Sequence, residues 1–323
     1  GLLELLDQDV VQVVRGSPQE HQQAHLEHRQ PVGALQLQEP AQRLGSASEE
    51  AQERAQGALL HIAAPNADGR SNVVRPLVAH LQVRSTVAQM KAAESLAILA
   101  SRSAANRAAI AVAGAIAPLV ALMGDGRNVS TSQVHAAAGL SDLARASENK
   151  AAIVSAGGVA PLVRMLSTNN ADAQGFACCA LSHLASTAAA QQQIANHSGI
   201  VPLVGHLSSE RLATANAASQ ALWHLAVTVN NKATVVKAGG IPRLVALLSR
   251  TDSTDAREST AAVLAELARN SSQGLNSQKA IVSAGGIPLL VATLKRAESP
   301  GAQKHAACAL WGLTDSAAHQ AAA

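Results

Sequence analysis

The 323-residue chain is nearly devoid of aromatic side chains, with one Phe (Phe176), two Trp (Trp223, Trp311) and no Tyr. Ala, Leu and Val are left to fill the interior, which suits close helix-on-helix contact better than a β-sandwich. Cysteine is scarce too: Cys178, Cys179 and Cys308 are odd in number and lack C-x-x-C spacing. Neither a disulfide framework nor a zinc ribbon is expected, and a reducing compartment is. Charged residues make up only 15%, but 48% hydrophobic residues exclude a disordered chain and allow a large core. The opening "GLLELLDQDVV" is acidic and has no basic n-region, so no signal peptide is read, and the chain looks like a piece of a longer one. The sequons at Asn128, Asn196 and Asn270 then read as chance.

Long apolar runs are also lacking. Ala108–Gly124 carries no charge over 17 residues but contains Pro118 and internal glycine, and it falls short of the roughly 20 residues that span a bilayer. No direct membrane insertion is expected. Net charge is +3, with 10 acidic and 4 basic residues in 1–69 against 12 and 21 in 70–323. The Lys and Arg of the main body are scattered, so a nucleic-acid partner is not expected.

What the chain does contain is repetition. "AIVSAGG" occurs at Ala152–Gly158 and again at Ala280–Gly286. Around it a Pro-centred phrase recurs: "NVVRPLVAHL" (Pro76), "AGAIAPLVALM" (Pro118), "AGGVAPLVRML" (Pro161), "HSGIVPLVGHL" (Pro202), "AGGIPRLVALL" (Pro242) and "AGGIPLLVATL" (Pro288). The spacings are 42, 43, 41, 40 and 46. A closing phrase ends each unit: "ALLHIA", "SLAILA", "GLSDLA", "ALSHLA", "ALWHLA", "VLAELA" and "ALWGLT", the last at Ala309–Thr314. Apolar helical spacing with Gly-Pro punctuation at this period is the pattern of an all-α solenoid.

The two phrases resemble the armadillo repeat, in which N, I and A-G-G-I-x-P-L-V-x-L-L precede a loop and then A-A-x-A-L-x-N-L-A. The resemblance implies a right-handed α-solenoid of about seven repeats over residues 50–314, preceded by a degenerate repeat or extension (1–49) and followed by a short tail (315–323). Gly157 is expected at a sharp corner where only a left-handed backbone fits, with Pro161 opening the next helix. A phosphate-cradling reading of Gly157–Gly158 lacks both a following lysine and a preceding strand.

In the resembling solenoids the Asn of A-L-x-N-L-A faces a concave groove where extended peptides lie. The corresponding row here is His61, Ile98, Asp142, His183, His224, Glu266 and Gly312. Residues four earlier include Glu94, Cys179, Gln220 and Cys308, and residues seven earlier include Phe176 and His305. The candidate partner-binding residues are therefore His61, Glu94, Asp142, Phe176, Cys179, His183, Gln220, Trp223, His224 and Glu266. The importin-α type of the family sets Trp and Asn four apart; no unit here has that pair, and Cys179/His183 and Gln220/His224 stand in its place.

Other chemistries are thinly represented. His21, His25 and His28 share one helical face and could offer three imidazoles to Zn²⁺ or Cu²⁺, although a polar surface explains them as well. Cys179 and His183 are spaced as a nucleophile and base on one helix, but no third group orients them. The expectation is a non-catalytic, cofactor-free scaffold or adaptor that binds an extended segment of a protein partner in the cytoplasm or nucleus. A nuclear-import receptor and a repeat-bearing piece of a larger modular protein are the alternatives.

Overall fold

A computed structural model describes residues 67–124, 129–269, 277–296 and 299–314. Every regular element among them is helical, seventeen in all. Backbone contacts divide the chain into two compact units, 1–115 and 116–323.

The first unit holds α1 (Ala67–His80), α2 (Thr86–Arg102) and α3 (Ala104–Val112). Ser85 and Ser103 start α2 and α3 by accepting hydrogen bonds from the backbone N–H groups of Ala88 and Asn106. Pro76 lies inside α1 and does not open a helix. The reason is in the phrase itself: "NVVRP" has no A-G-G before its Pro, so no left-handed residue breaks the chain.

The second unit contains the regular repeats. Short first helices α6 (Ser147–Ser155), α9 (Ala188–Asn196), α12 (Val229–Lys237) and α15 (Ser277–Ser283) alternate with second helices and long third helices. The second helices are α4 (Ile116–Met123), α7 (Val159–Met165), α10 (Ile200–His206), α13 (Gly240–Arg250) and α16 (Gly286–Lys295). The third helices are α5 (Thr131–Leu143), α8 (Ala171–Leu184), α11 (Leu212–Leu225), α14 (Thr254–Ala268) and α17 (Pro300–Thr314). They pack in series, α5 on α8, α8 on α11, α11 on α14 and α14 on α17.

Alanine explains how they stack without aromatics. Ala137, Ala177, Ala218, Ala261 and Ala306 have no accessible surface or almost none, and Leu140, Leu181, Leu222 and Leu264 are fully buried. Short side chains let the helices approach closely while the leucines supply the apolar area. Between α11 and α14 the apolar contact also encloses a polar cluster: Ser219 Oγ lies 3.1 Å from Ser259 Oγ and 3.0 Å from Thr260 Oγ1, so these buried hydroxyls satisfy one another.

The corners repeat in detail. Gly114, Gly157, Gly239 and Gly285 have φ of 78, 79, 74 and 77°, and each of the prolines at 118, 161, 202, 242 and 288 lies in the first turn of its helix. The second glycine does a different job. A Cβ on Gly158 would lie 2.9 Å from Ile153 Cγ2, and one on Gly240 2.6 Å from Val235 Cγ1, so the A-G-G phrase combines a conformational glycine with a packing glycine. No single helix among the described residues is long and apolar enough to cross a membrane; α15 and α16 are bent by 82° at their glycine corner.

Candidate functional site

The family-type Asn at the start of the first helix proves to be a structural clamp. Asn149 Nδ2 donates to the Leu143 carbonyl (3.1 Å), Asn231 Nδ2 to Leu225 (2.8 Å) and, in the first unit, Asn106 Nδ2 to Leu99 (2.8 Å). Each amide donates to a carbonyl in the last turn of the preceding long helix, where carbonyls run short of helical partners. Two repeats have Ala190 and Ser277 at this position, and there the next residue takes over. Gln191 donates to Ala185 at 2.9 Å, and Gln278 donates to Ala268 at 3.0 Å and to Gly312 at 2.8 Å.

With the third helices fixed in this way, their half-buried row in the second unit consists of Asp142, His183, His224, Glu266 and Gly312. Cys179 and Gln220 are likewise half-buried one turn earlier, and Phe176 is 37% exposed. Glu94, in the first unit, is half-buried on α2 and faces Lys91 Nζ at 3.7 Å. His61 and the His21, His25, His28 cluster lie outside the described residues; among the described ones no group of three His, Cys, Asp or Glu side chains could hold a metal ion.

The row residues make specific contacts. Asp142 pairs with Arg145 at 3.5 Å, and Glu266 pairs with Lys232 at 3.1 Å and Arg269 at 3.2 Å. The half-buried Trp223 stacks on His224 with ring centroids 5.3 Å apart and planes 12° apart. Its other contact is edge-to-face with His305 of α17, also at 5.3 Å. That contact joins α11 to α17, two repeats apart, with α14 packed between them. Trp311, by contrast, is 72% exposed.

Three of the histidines on this face, His183, His224 and His305, do not titrate as free imidazoles. Burial is the main reason that His183, His224 and His305 are held below the ordinary value. Lys150 adds to the effect at both His183 and His224, and Arg145 at His183. These groups are therefore mostly neutral near pH 7, able to donate and accept hydrogen bonds. The Cys179 thiol is pushed up by burial and then by Asp142, and Cys178 is pushed up mainly by burial. That is the reverse of what a nucleophile paired with His183 needs.

Sequence reasoning missed Lys150 and Lys232, which reach the row from the first helices, and passed over His305 in choosing candidates. The signal for the lysines was the dipeptide Asn-Lys, present at 149–150 and again at 231–232.

Fold and row together define a repeat-built α-solenoid with a variable polar face. The family model for the armadillo/β-catenin-like repeat matches residues 146–186, 228–269 and 276–315. The chain belongs to the armadillo repeat family. Among solved structures it is similar to an engineered protein at 31% identity and a TM-score of 0.72, over 87% of this chain and 68% of that one. A computationally designed armadillo repeat protein for modular peptide recognition is similar in fold (23% identity, TM-score 0.62, 74% of this chain and 99% of that one). So is a designed armadillo repeat protein in complex with the peptide (KR)4 (22% identity, TM-score 0.60, with the same coverages). No curated protein matches the chain in sequence.

Proposed function

We propose that this protein is a non-catalytic scaffold that binds an extended segment of a protein partner along the row of its third helices. The observation that supports this most directly is the contrast between positions. Core and corner residues recur from repeat to repeat, whereas the row residues on the same helices are Asp142, His183, His224 and Glu266, half-buried and chemically different. A surface built only to be solvated does not need a Trp that stacks on one row residue and reaches the histidine of a helix two repeats away. The designed relatives made for peptide recognition support the same reading. The partner lies across several repeats, so each contributes modestly, with Trp223 as the main anchor. The free thiols of Cys178, Cys179 and Cys308 accord with a reducing compartment, the cytoplasm or nucleus.

Photo-crosslinking tests this. Octapeptides of defined composition, (DE)4, (KR)4 and (SG)4, each carrying a benzophenone, are incubated with the full chain and the crosslinks mapped by mass spectrometry. Adducts are expected on α8, α11 and α14. Crosslinks confined to the first helices α6, α9 and α12 reject the row as the site.

A further inference from the structure

The residue after the capping asparagine occupies an equivalent place in two repeats, and the chain completes that place differently. Lys232 extends to the row residue of the next third helix and finds a carboxylate, Glu266 Oε2, at 3.1 Å. Lys150 extends in the same way, but the row residue there is His183. Its Nζ donates to Ser186 Oγ at 2.8 Å, and that hydroxyl donates to the His183 carbonyl at 2.9 Å. Among the described residues Lys150 has no ion-pair partner, while both carboxylates of the row in this unit are already matched, Asp142 by Arg145 and Glu266 by Lys232 and Arg269. The central stretch of the row thus presents an ammonium, two imidazoles and the Trp223 ring, with no acidic group left over to receive a basic partner.

We infer that Lys150, His183 and His224 form a subsite for a carboxylate side chain, Asp or Glu, of an extended peptide lying along the row. The inference rests on the proposed function above and adds the chemistry of the partner. The incoming carboxylate would complete at Lys150 the ion pair that Glu266 completes at Lys232, and the imidazole N–H groups would supply the remaining donors. The charged and titratable groups along and beside this part of the row are Asp142 and Arg145 at the end of α5, Lys150 on α6, Cys179 on α8, Lys232 on α12 with its partner Glu266 on α14, Arg269 just after α14 and, through Trp223, His305 on α17. Before binding, burial and then the nearby cations, Arg145 and Lys150 at His183 and Lys150 at His224, oppose protonation of the two histidines. A bound carboxylate offsets that field, so binding takes up protons and tightens as pH falls.

The test uses the full chain and fluorescent (DE)4, (KR)4 and (SG)4 in anisotropy titrations. At pH 7, (DE)4 is expected to bind about tenfold or more tighter than (KR)4, and its affinity to rise further between about pH 7.5 and about pH 5.5. Lys150→Gln should weaken (DE)4 about fivefold or more, and Lys150→Glu should reverse the preference, both with unchanged circular dichroism. Imidazole NMR should show the pKa of His183 and His224 rising on addition of (DE)4. Preference of the wild type for (KR)4, or Lys150→Gln leaving (DE)4 affinity unchanged, overturns this inference but leaves peptide binding standing. An oligouridylate that outcompetes (DE)4 would assign the cations to phosphate and also overturn it. Failure of all three peptides to bind overturns this inference and the proposed function together.

Discussion

The row positions 142, 224 and 266 of this protein are followed 15 to 19 residues later by the corners at 157, 239 and 285, yet row and corner behave oppositely. Four corners place glycine at φ between 74 and 79°, whereas the row of the second unit has Asp142, His183, His224, Glu266 and Gly312. A corner has one backbone solution, and only glycine reaches it without strain. A half-exposed side chain on a helix has many solutions, all compatible with the same backbone. Folding therefore fixes the corner and leaves the row free to carry information about a partner.

The largest expected effect breaks a corner from inside. In Gly240→Val, a Cβ would lie 2.6 Å from Val235 Cγ1 and 2.8 Å from the Val235 carbonyl oxygen. Backbone must move, and a loss of about 3 kcal/mol is expected in urea denaturation followed by circular dichroism. Gly157→Val tests the other glycine. A Cβ there meets nothing within 4 Å, so the cost is purely that of φ +79°, about 1–3 kcal/mol. If Gly157→Val proved neutral while Gly240→Val did not, packing alone would account for the A-G-G phrase. Asn149→Ala, which removes the side-chain donor to the Leu143 carbonyl but leaves it the Ala146 N–H, is expected to cost about 0.5–1.5 kcal/mol.

The row should respond to pH where the corners do not. His183 and His224 are held below their unfolded value by burial first, then by Arg145 and Lys150 at His183 and by Lys150 at His224. The unfolded chain therefore binds more protons, and stability falls as pH drops below about 6.5 toward the depressed folded values. The His183→Ala/His224→Ala double variant should show a shallower acid loss in urea titrations run across that range. An unchanged acid limb would mean that these imidazoles are not the groups responsible.

This contrast also explains what could be read in advance. The helical class, the repeat period and the left-handed Gly157 followed the sequence because each is a backbone demand with few residue solutions. Pro76 departed from its phrase because the missing A-G-G left α1 uninterrupted. The placement of Asp142, His183, His224 and Glu266 on one face followed from helical periodicity alone. Their partners did not. Lys150 and Lys232 come from a different helix, and the Trp223–His305 contact joins residues 82 apart in sequence, so neither shows up in any single repeat. The lowered titration of the histidines depends on that same assembly.

The smallest prediction sharpens the comparison at the one corner that departs from the others. In "HSGIVP" the corner position is Ser198, whose φ is +60°, while Gly199 keeps the packing role, since a Cβ there would meet Ile194 Cγ2 at 2.9 Å. A serine in the left-handed region costs about 1–2 kcal/mol relative to glycine. Against this, Gly adds backbone entropy to the unfolded chain, worth about 0.5–1 kcal/mol. The two terms nearly balance, and the steric one is larger. Ser198→Gly is therefore expected to stabilise by about 0.5 kcal/mol, read as a small rise in the urea midpoint with unchanged slope. Ser198→Ala keeps the strain without the hydroxyl and should not stabilise. If Ser198→Gly destabilised the chain, the serine side chain would have to be making a compensating contact at this corner, and conformational demand would no longer suffice to explain why the other four are glycine.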